Sequence, residues 1–363
     1  MDRRSFFRGA GIATVAAAAS ALAAPAIAQE RRELRMATPW PAGLPGLDHS
    51  VNRLVRRISE MTDGRITVVP FNAGALVPAL EEFAAASDGR ADLFHGPDYY
   101  YAAASPALNF FTNTPLGLTA IEHAAWLRFG GGQELWDRHH AQFGLKPLLA
   151  GNTGTQMAGW FKQPIESLAG IAGLNFRMPG LGGEVWRRLG MNVISLPGAE
   201  ILAALQDGRL DGADWIGPWN DREFRLHEAA SHYYSPSLAE GSATLGIGIN
   251  SGVWQSLSGA DRATFEIACE AEHQAMLAEF HHNNAVALEE LTATHGVTVH
   301  ALPPDIVAAI ADATHGVIAD TAGSDPLANE IVASIAAARR RLRRWTETGE
   351  GTYVAARAGT ADW

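Results

Sequence analysis

The feature that most restricts the fold is a twice-repeated alternation of short apolar strands with amphipathic helices, punctuated by Asp-Gly stops. Residues 34–37 read as a first strand. Leu47, Val51, Leu54, Val55, Ile58 and Met61 then recur at helical spacing, Asp63-Gly64 ends that helix, and residues 66–69 form a second strand. A helix over about 78–87 stops at Asp88-Gly89, and a third strand begins at 91–94. The pattern restarts with a strand at 174–177, a helix over 184–189, a strand at 193–194, a helix over 199–206 and a stop at Asp207-Gly208. Such alternation builds a mostly parallel sheet with helices on its faces. The two stops echo one another, Asp88-Gly89-Arg90-Ala91-Asp92 against Asp207-Gly208-Arg209-Leu210-Asp211. The expected fold is therefore α/β with two lobes of similar build and a ligand cleft between them, beyond the carboxyl ends of the strands. A glycine-rich strand over 246–250 returns to the first lobe, so two crossovers form a hinge.

A chain of 363 residues has room for two lobes, and 47% apolar with 18% charged residues supports packed cores. Residues 1–28 read as a twin-arginine signal peptide: Arg3 and Arg4, then Phe6 and Phe7, an alanine-rich apolar stretch, and Ala26-Ile27-Ala28 as a cleavage site. An N-terminal membrane anchor is the alternative. No later stretch is long and apolar enough to span a bilayer, so the expected location is the periplasm. Losing Asp2, Arg3, Arg4 and Arg8 takes the formal charge from −11 to −13. So acidic a chain argues against nucleic acid or anionic lipid as partners. Cys269, the single cysteine, lies in an apolar helical pattern and reads as a buried, inert thiol.

Leu327, Ile331, Ile335, Ala338, Leu342 and Trp345 share one face of a long C-terminal helix, with five arginines (339–341, 343 and 344) in its last turns. There they would complement the negative end of the helix dipole. The apolar stripe can pack on its own lobe or on a second subunit.

Signatures of enzymes fail on spacing. His227-Glu228 starts like a zinc-protease helix, but the required second histidine is Ser231, and His232 falls on another face. Gly180-Leu181-Gly182-Gly183 starts like a dinucleotide loop, but its third glycine position is Val185. There is no Gly-x-Ser-x-Gly elbow and no phosphate loop. The His139-His140 and His281-His282 pairs sit in polar helix sequence and are expected at the surface.

Three segments remain. Arg177 stands inside an apolar strand and precedes the Pro179-to-Gly183 loop, which leads into a helix. A buried guanidinium needs an anion. Its planar fork suits a carboxylate, whether a ligand's or an internal Asp or Glu. Asp211-Gly212-Ala213-Asp214-Trp215 ends another strand: Asp214 can ligate a cation and Trp215 can wall a pocket, or the two are a cap and a core residue. Gly151-Asn152-Thr153-Gly154-Thr155-Gln156 is a polar loop at the first crossover, and an ordinary turn is its other reading.

Together these segments resemble the solute-binding subunits of tripartite ATP-independent periplasmic (TRAP) transporters, the DctP family, and within it the TakP-like branch that binds 2-oxo acids. Residues 173–177 are similar to that family's arginine strand, and 203–212 to its helix–turn–strand signature. Residues 71–81, 151–157, 177–184 and 215–221 also match, so the resemblance spans essentially the whole mature chain. It implies a two-lobed periplasmic-binding-protein fold that captures a small monocarboxylate, pyruvate-like, and passes it to membrane subunits without chemistry. It assigns Arg177 to the substrate carboxylate, Gln156 to substrate and cation, and Asp214 with the Trp215 carbonyl to that cation, sodium or calcium. Glu240 falls near the ligand, and Tyr100 and Asn152 are further pocket candidates. Two departures stand out. The branch usually has Glu at the position of Asp214, and it has an aromatic and a histidine just before the acid at Glu240. Lobe I is expected over 29–152 with about 241–280, lobe II over 153–240 with about 281–322, and a dimerisation helix over 325–346. A metal-assisted enzyme of 2-oxo or 2-hydroxy acids, and a ligand-sensing partner of a membrane kinase, are the alternatives.

Overall fold

The computed structural model describes residues 31–360, so the leader over 1–28 lies outside the described residues. The strands are β1 (Arg32–Ala37), β2 (Ile66–Phe71), β3 (Leu93–Gly96), β4 (Leu145–Asn152), β5 (Gly159–Phe161), β6 (Asn175–Arg177), β7 (Asn192–Ile194), β8 (Gly212–Ala213), β9 (His232–Ser235), β10 (Thr244–Asn250) and β11 (Thr298–Ala301). They form two sheets, one ordered β2-β1-β3-β10-β4 and the other β7-β6-β8-β5-β9-β11. In each the first three strands are parallel and the fourth is antiparallel to both its neighbours. The fifth strand of each sheet, β4 or β9, leads directly into the fourth strand of the other. The lobes thus exchange a strand, which makes both crossovers part of the sheets themselves.

The Asp-Gly echo is a true structural repeat. Gly89 and Gly208 both take left-handed backbone, with φ 83° and 85°, the conformation glycine adopts without a Cβ penalty. Asp88 Oδ1 accepts from Arg90 N at 3.1 Å, and Asp207 Oδ1 from Arg209 N at 3.0 Å. Asp92 Oδ2 then accepts from Arg35 N at 2.7 Å, and Asp211 Oδ2 from Asn175 N at 2.8 Å. This pairs Arg35 with Asn175 as equivalent positions. Two residues further along the middle strand of each parallel trio stand Ala37 and Arg177, both buried. Arg177 therefore occupies the carboxyl end of β6, at the cleft.

Helix ends depart from the sequence expectation where turns intervene. The helix expected over 78–87 begins at Glu82, because Leu80 has φ 73° and its N–H is taken by the Glu82 carboxylate at 3.1 Å. The helix expected over 184–189 begins at Gly180 and ends at Arg188, so the glycines are its first turn rather than a loop. They let the helix sit on the strand before it: a Cβ on Gly183 would lie 2.4 Å from the Met178 carbonyl oxygen, and one on Gly182 would lie 2.4 Å from Met178 Cε. His139 and His140 are buried, not at the surface. The helix Gly132–Ala141 buries a stripe of Leu135, Trp136, His139 and His140, wide enough to take adjacent positions. Cys269 is buried, and burial pushes its thiol up.

The helix Pro326–Thr346 packs Ala328, Ile331 and Ile335 on its own chain, with Leu327, Ala338 and Leu342 at the margin, while Trp345 is 72% exposed. The helical path continues through Glu347–Gly351 and Thr352–Ala358, so the arginines are mid-path and do not face a free helix end. Arg339 instead donates to the Leu116 carbonyl at 2.8 Å. No helix among the described residues is long and apolar enough to cross a membrane.

Because the Met178 carbonyl is backbone and cannot swing away, Gly183→Ala is expected to lower stability by about 1–3 kcal/mol. A urea titration reading a lower midpoint at unchanged slope checks this.

Candidate functional site

The site forms where the ends of β6 and β8 meet both crossovers. The crossovers are laced together: Thr153 N donates to the Ala243 carbonyl at 3.1 Å, and Ala243 N donates to Thr153 Oγ1 at 2.9 Å. Gln156 Nε2 also donates to Thr153 Oγ1, at 2.9 Å. The Asn152 amide is engaged inside this lacing, donating to Thr244 Oγ1 at 3.1 Å and accepting from Gly154 N at 2.8 Å. Tyr100, Gln156 and Trp215 line the cleft cavity, together with Trp40, Leu47, Tyr99, Thr153 and Leu245, whereas Asn152, Arg177, Asp214 and Glu240 are not among its lining residues. The free space there is about 10 Å³, room for roughly one water-sized group, so the cleft is closed.

Arg177 is 1% exposed. Its Nε donates to the Leu196 carbonyl at 3.1 Å and its Nη1 to the Asp214 carbonyl at 2.8 Å, while the guanidinium lies 5.1 Å over the Trp215 ring. Two backbone bonds fix the plane of a fork that has five N–H donors, so donors remain for an anion.

Asp214 is equally buried, yet neither of its carboxylate oxygens accepts a hydrogen bond; Arg177 Nη1 stands 3.8 Å from Oδ2. Gln156 Oε1 and the Trp215 indole N–H are also buried without partners. Such atoms cost about 1–3 kcal/mol each. Asp221, seven residues on, shows the contrast. Its carboxylate accepts from Trp160 Nε1 at 2.8 Å, Tyr233 Oη at 2.7 Å, Ile216 N at 3.1 Å and Gly217 N at 3.0 Å. Asp221 is a satisfied anchor that holds the 214–217 turn; Asp214 is not.

Glu240 faces the same cluster, accepting from Tyr99 Oη at 3.1 Å. Burial pushes its carboxyl up to about 7, opposed by the Tyr99 bond, Arg177, Gln156 and Asn113. Burial, then repulsion from Glu240, raises Asp214, while Arg177 opposes both. Burial also pushes the Tyr100 hydroxyl up to about 12, again against Arg177. Two buried carboxyls thus face one guanidinium. Nowhere among the described residues do three His, Cys, Asp or Glu side chains gather to hold a metal. The oxygens of Asp214 and Gln156 suit a hard cation that takes oxygen ligands. Sequence reasoning missed Tyr99 and Trp40, and flagged Thr153 only as part of the 151–156 loop; the Tyr99-Tyr100-Tyr101 run just after β3 was the available signal.

A two-lobed α/β chain with a closed, charged cleft at its strand ends and hinge defines a solute-binding protein. The sequence model of bacterial extracellular solute-binding protein, family 7 (DctP), matches residues 37–324. The Monocarboxylate 2-oxoacid-binding periplasmic protein of Nostoc sp. (strain PCC 7120) is 36% identical over 319 residues, 88% of this chain and 87% of that protein. A TRAP transporter solute binding protein from Bordetella bronchiseptica RB50, a mixed occupancy dimer with copurified calcium and picolinate, matches with TM-score 0.88 and 31% identity over 91% of this chain and all of its own. One from Pseudoalteromonas atlantica T6c, with bound sodium and pyruvate, matches with TM-score 0.87 and 29% identity over 90% of this chain and 99% of its own. The chain belongs to the DctP family and is a periplasmic solute-binding protein of the TRAP type.

Between pH 4.5 and about 7 the folded, ligand-free protein retains a proton on Glu240 that the unfolded chain releases. The stability this confers is complete below 4.5 and lost as pH rises through 7. Glu240→Gln removes the Glu240 share of the dependence and leaves those of the other buried, raised carboxyls, Asp214 and Asp221, so its melting temperature should gain on wild type as pH is raised across that window. A pH-independent difference between the two would show that Glu240 is ionised throughout.

Proposed function

We propose that the protein captures a small monocarboxylate, a 2-oxo acid of pyruvate's size, by closing its lobes over the anion and a cation. The observation that carries this reading is the set of buried oxygens without donors, Asp214 Oδ1 and Oδ2 and Gln156 Oε1, beside the Arg177 guanidinium. Arg177 pairs with the ligand carboxylate, its fork held ready by the Leu196 and Asp214 carbonyls. Asp214, Gln156 Oε1 and the Trp215 carbonyl would hold sodium or calcium, which when bound would supply positive charge to a carboxylate ligand. The ligands of the relatives support this, since pyruvate and picolinate each carry a carboxylate next to a second acceptor atom. Tyr100, Trp215 and Glu240 complete the wall, and Asn152 acts through the crossover it braces.

Capture is a binding event without turnover. Residues 29–152 with about 241–280 close on 153–240 with about 281–322, and the closed form is presented to TRAP membrane subunits. The leader is removed after Ala28 on export. The helix over 325–346 pairs two copies, a reading supported by Trp345 and Tyr353 beyond it, 72% and 65% exposed.

With sodium or calcium present, pyruvate should raise the melting midpoint of the mature protein, and dicarboxylates should not. Arg177→Ala should abolish the shift, and Arg177→Lys should retain only part of it, because a point charge lacks the planar fork. An undiminished shift in Arg177→Ala would remove Arg177 from the site.

A further inference from the structure

The cleft is bridged at a second place, on the loop whose Trp40 and Leu47 line the cavity. The loop after β1 belongs to the first sheet: Thr38 N donates to the Phe71 carbonyl at 2.9 Å, and Ala73 N to the Trp40 carbonyl at 3.0 Å. The short helix Pro218–Glu223 belongs to the second, through the bonds from Trp160 and Tyr233 to Asp221. Asn220, on that helix, is fully buried, and its Nδ2 donates to the Pro45 carbonyl at 3.0 Å, across the two lobes. Gly46, beside Pro45, has φ 73°, and a Cβ there would lie 2.7 Å from Phe280 Cε2 and 2.8 Å from Trp219 Cζ3. Trp219 belongs to the opposite lobe and Phe280 to the end of the loop's own lobe, so the loop meets Trp219 with no room for one further carbon. Neither Asn220 nor Gly46 lines the cavity.

We propose that Asn220 and Gly46 form an interlobe latch, made only when the cleft closes, that sets ligand affinity without touching the ligand. The inference rests on the reading of capture as lobe closure. In an open cleft the Asn220 amide and the Pro45 carbonyl would both face water, so their bond adds to the closed state alone. A contact made in one state shifts the equilibrium by its differential free energy, and the shift appears as apparent affinity. Gly46 contributes by its lack of a side chain: a Cβ would wedge the loop away from Trp219 of the opposite lobe. Asn220 and Gly46 are positioning residues.

The test uses the mature full-length chain with pyruvate and calcium as probes, calorimetry for affinity, and small-angle X-ray scattering for compaction. Asn220→Asp replaces the donor with an acceptor facing the Pro45 carbonyl at nearly constant volume. Gly46→Ala attacks the contact from the opposite lobe and serves if the first variant does not fold. Each should loosen the pyruvate Kd by roughly tenfold and speed release. The ratio of pyruvate to lactate affinity and the scattering of the ligand-free form should stay as in wild type. If wild type compacts on pyruvate while both variants bind within about twofold of it, the latch is overturned and closure stands. A changed pyruvate-to-lactate ratio would place these residues against the ligand and overturn the proposal. If wild type does not compact on pyruvate, closure as the capture mechanism falls, and the latch with it.

Discussion

Everything at the cleft depends on a guanidinium and a carboxylate that are close but do not satisfy one another. Arg177 binds the backbone oxygen of Asp214 at 2.8 Å and stands 3.8 Å from its side-chain oxygen. The carboxylate is left buried and without a donor. A direct ion pair would quench both groups and leave an inert core bridge. The offset instead keeps the arginine able to receive an anion and the aspartate able to receive a cation. It follows from backbone register: β6 and β8 run parallel with Arg177 opposite Ala213, and Asp214 N donates to the Arg177 carbonyl at 2.9 Å. The sheet itself sets the spacing of the two charges.

The rest of the fold delivers this arrangement to a hinge. Because each lobe lends its fourth strand position to chain arriving from the other, the crossovers are continuations of β4 and β9 rather than free linkers. Thr153 Oγ1 accepts from both Ala243 N and Gln156 Nε2, so one hydroxyl ties the two crossovers to a cavity-lining amide. A group that settles on Gln156 therefore touches the hydrogen bonds that lace the two crossovers together.

Much of this could be read from the residues. The Asp-Gly echo became two joints equivalent bond for bond, and the glycine-rich 246–250 run became the returning strand β10. Arg177, Asp214, Gln156, Trp215, Glu240 and Tyr100 gather around one cleft. The failures have physical causes. The glycines after Pro179 looked like a loop because glycine disfavours helix interiors, yet here close packing on Met178 demands them. The His139-His140 pair looked exposed because its neighbours in sequence are polar, while the buried stripe is set by Leu135 and Trp136. Asp214 and Asp221 are chemically identical in sequence. Only the fold shows that one has four donors and the other none. Tyr99 went unread because its partner, Glu240, is 141 residues away.

A cation that completes the anion site must bind cooperatively with the anion. The direct measurement is calorimetric titration of the chelator-treated mature protein with pyruvate at stepped calcium, and separately sodium, concentrations, in wild type and Asp214→Asn. The account predicts that pyruvate affinity rises with cation until saturation. Pyruvate should tighten cation binding by the same factor, as linkage requires, and Asp214→Asn should weaken both together. Pyruvate affinity in wild type that is strong and indifferent to either cation would contradict it.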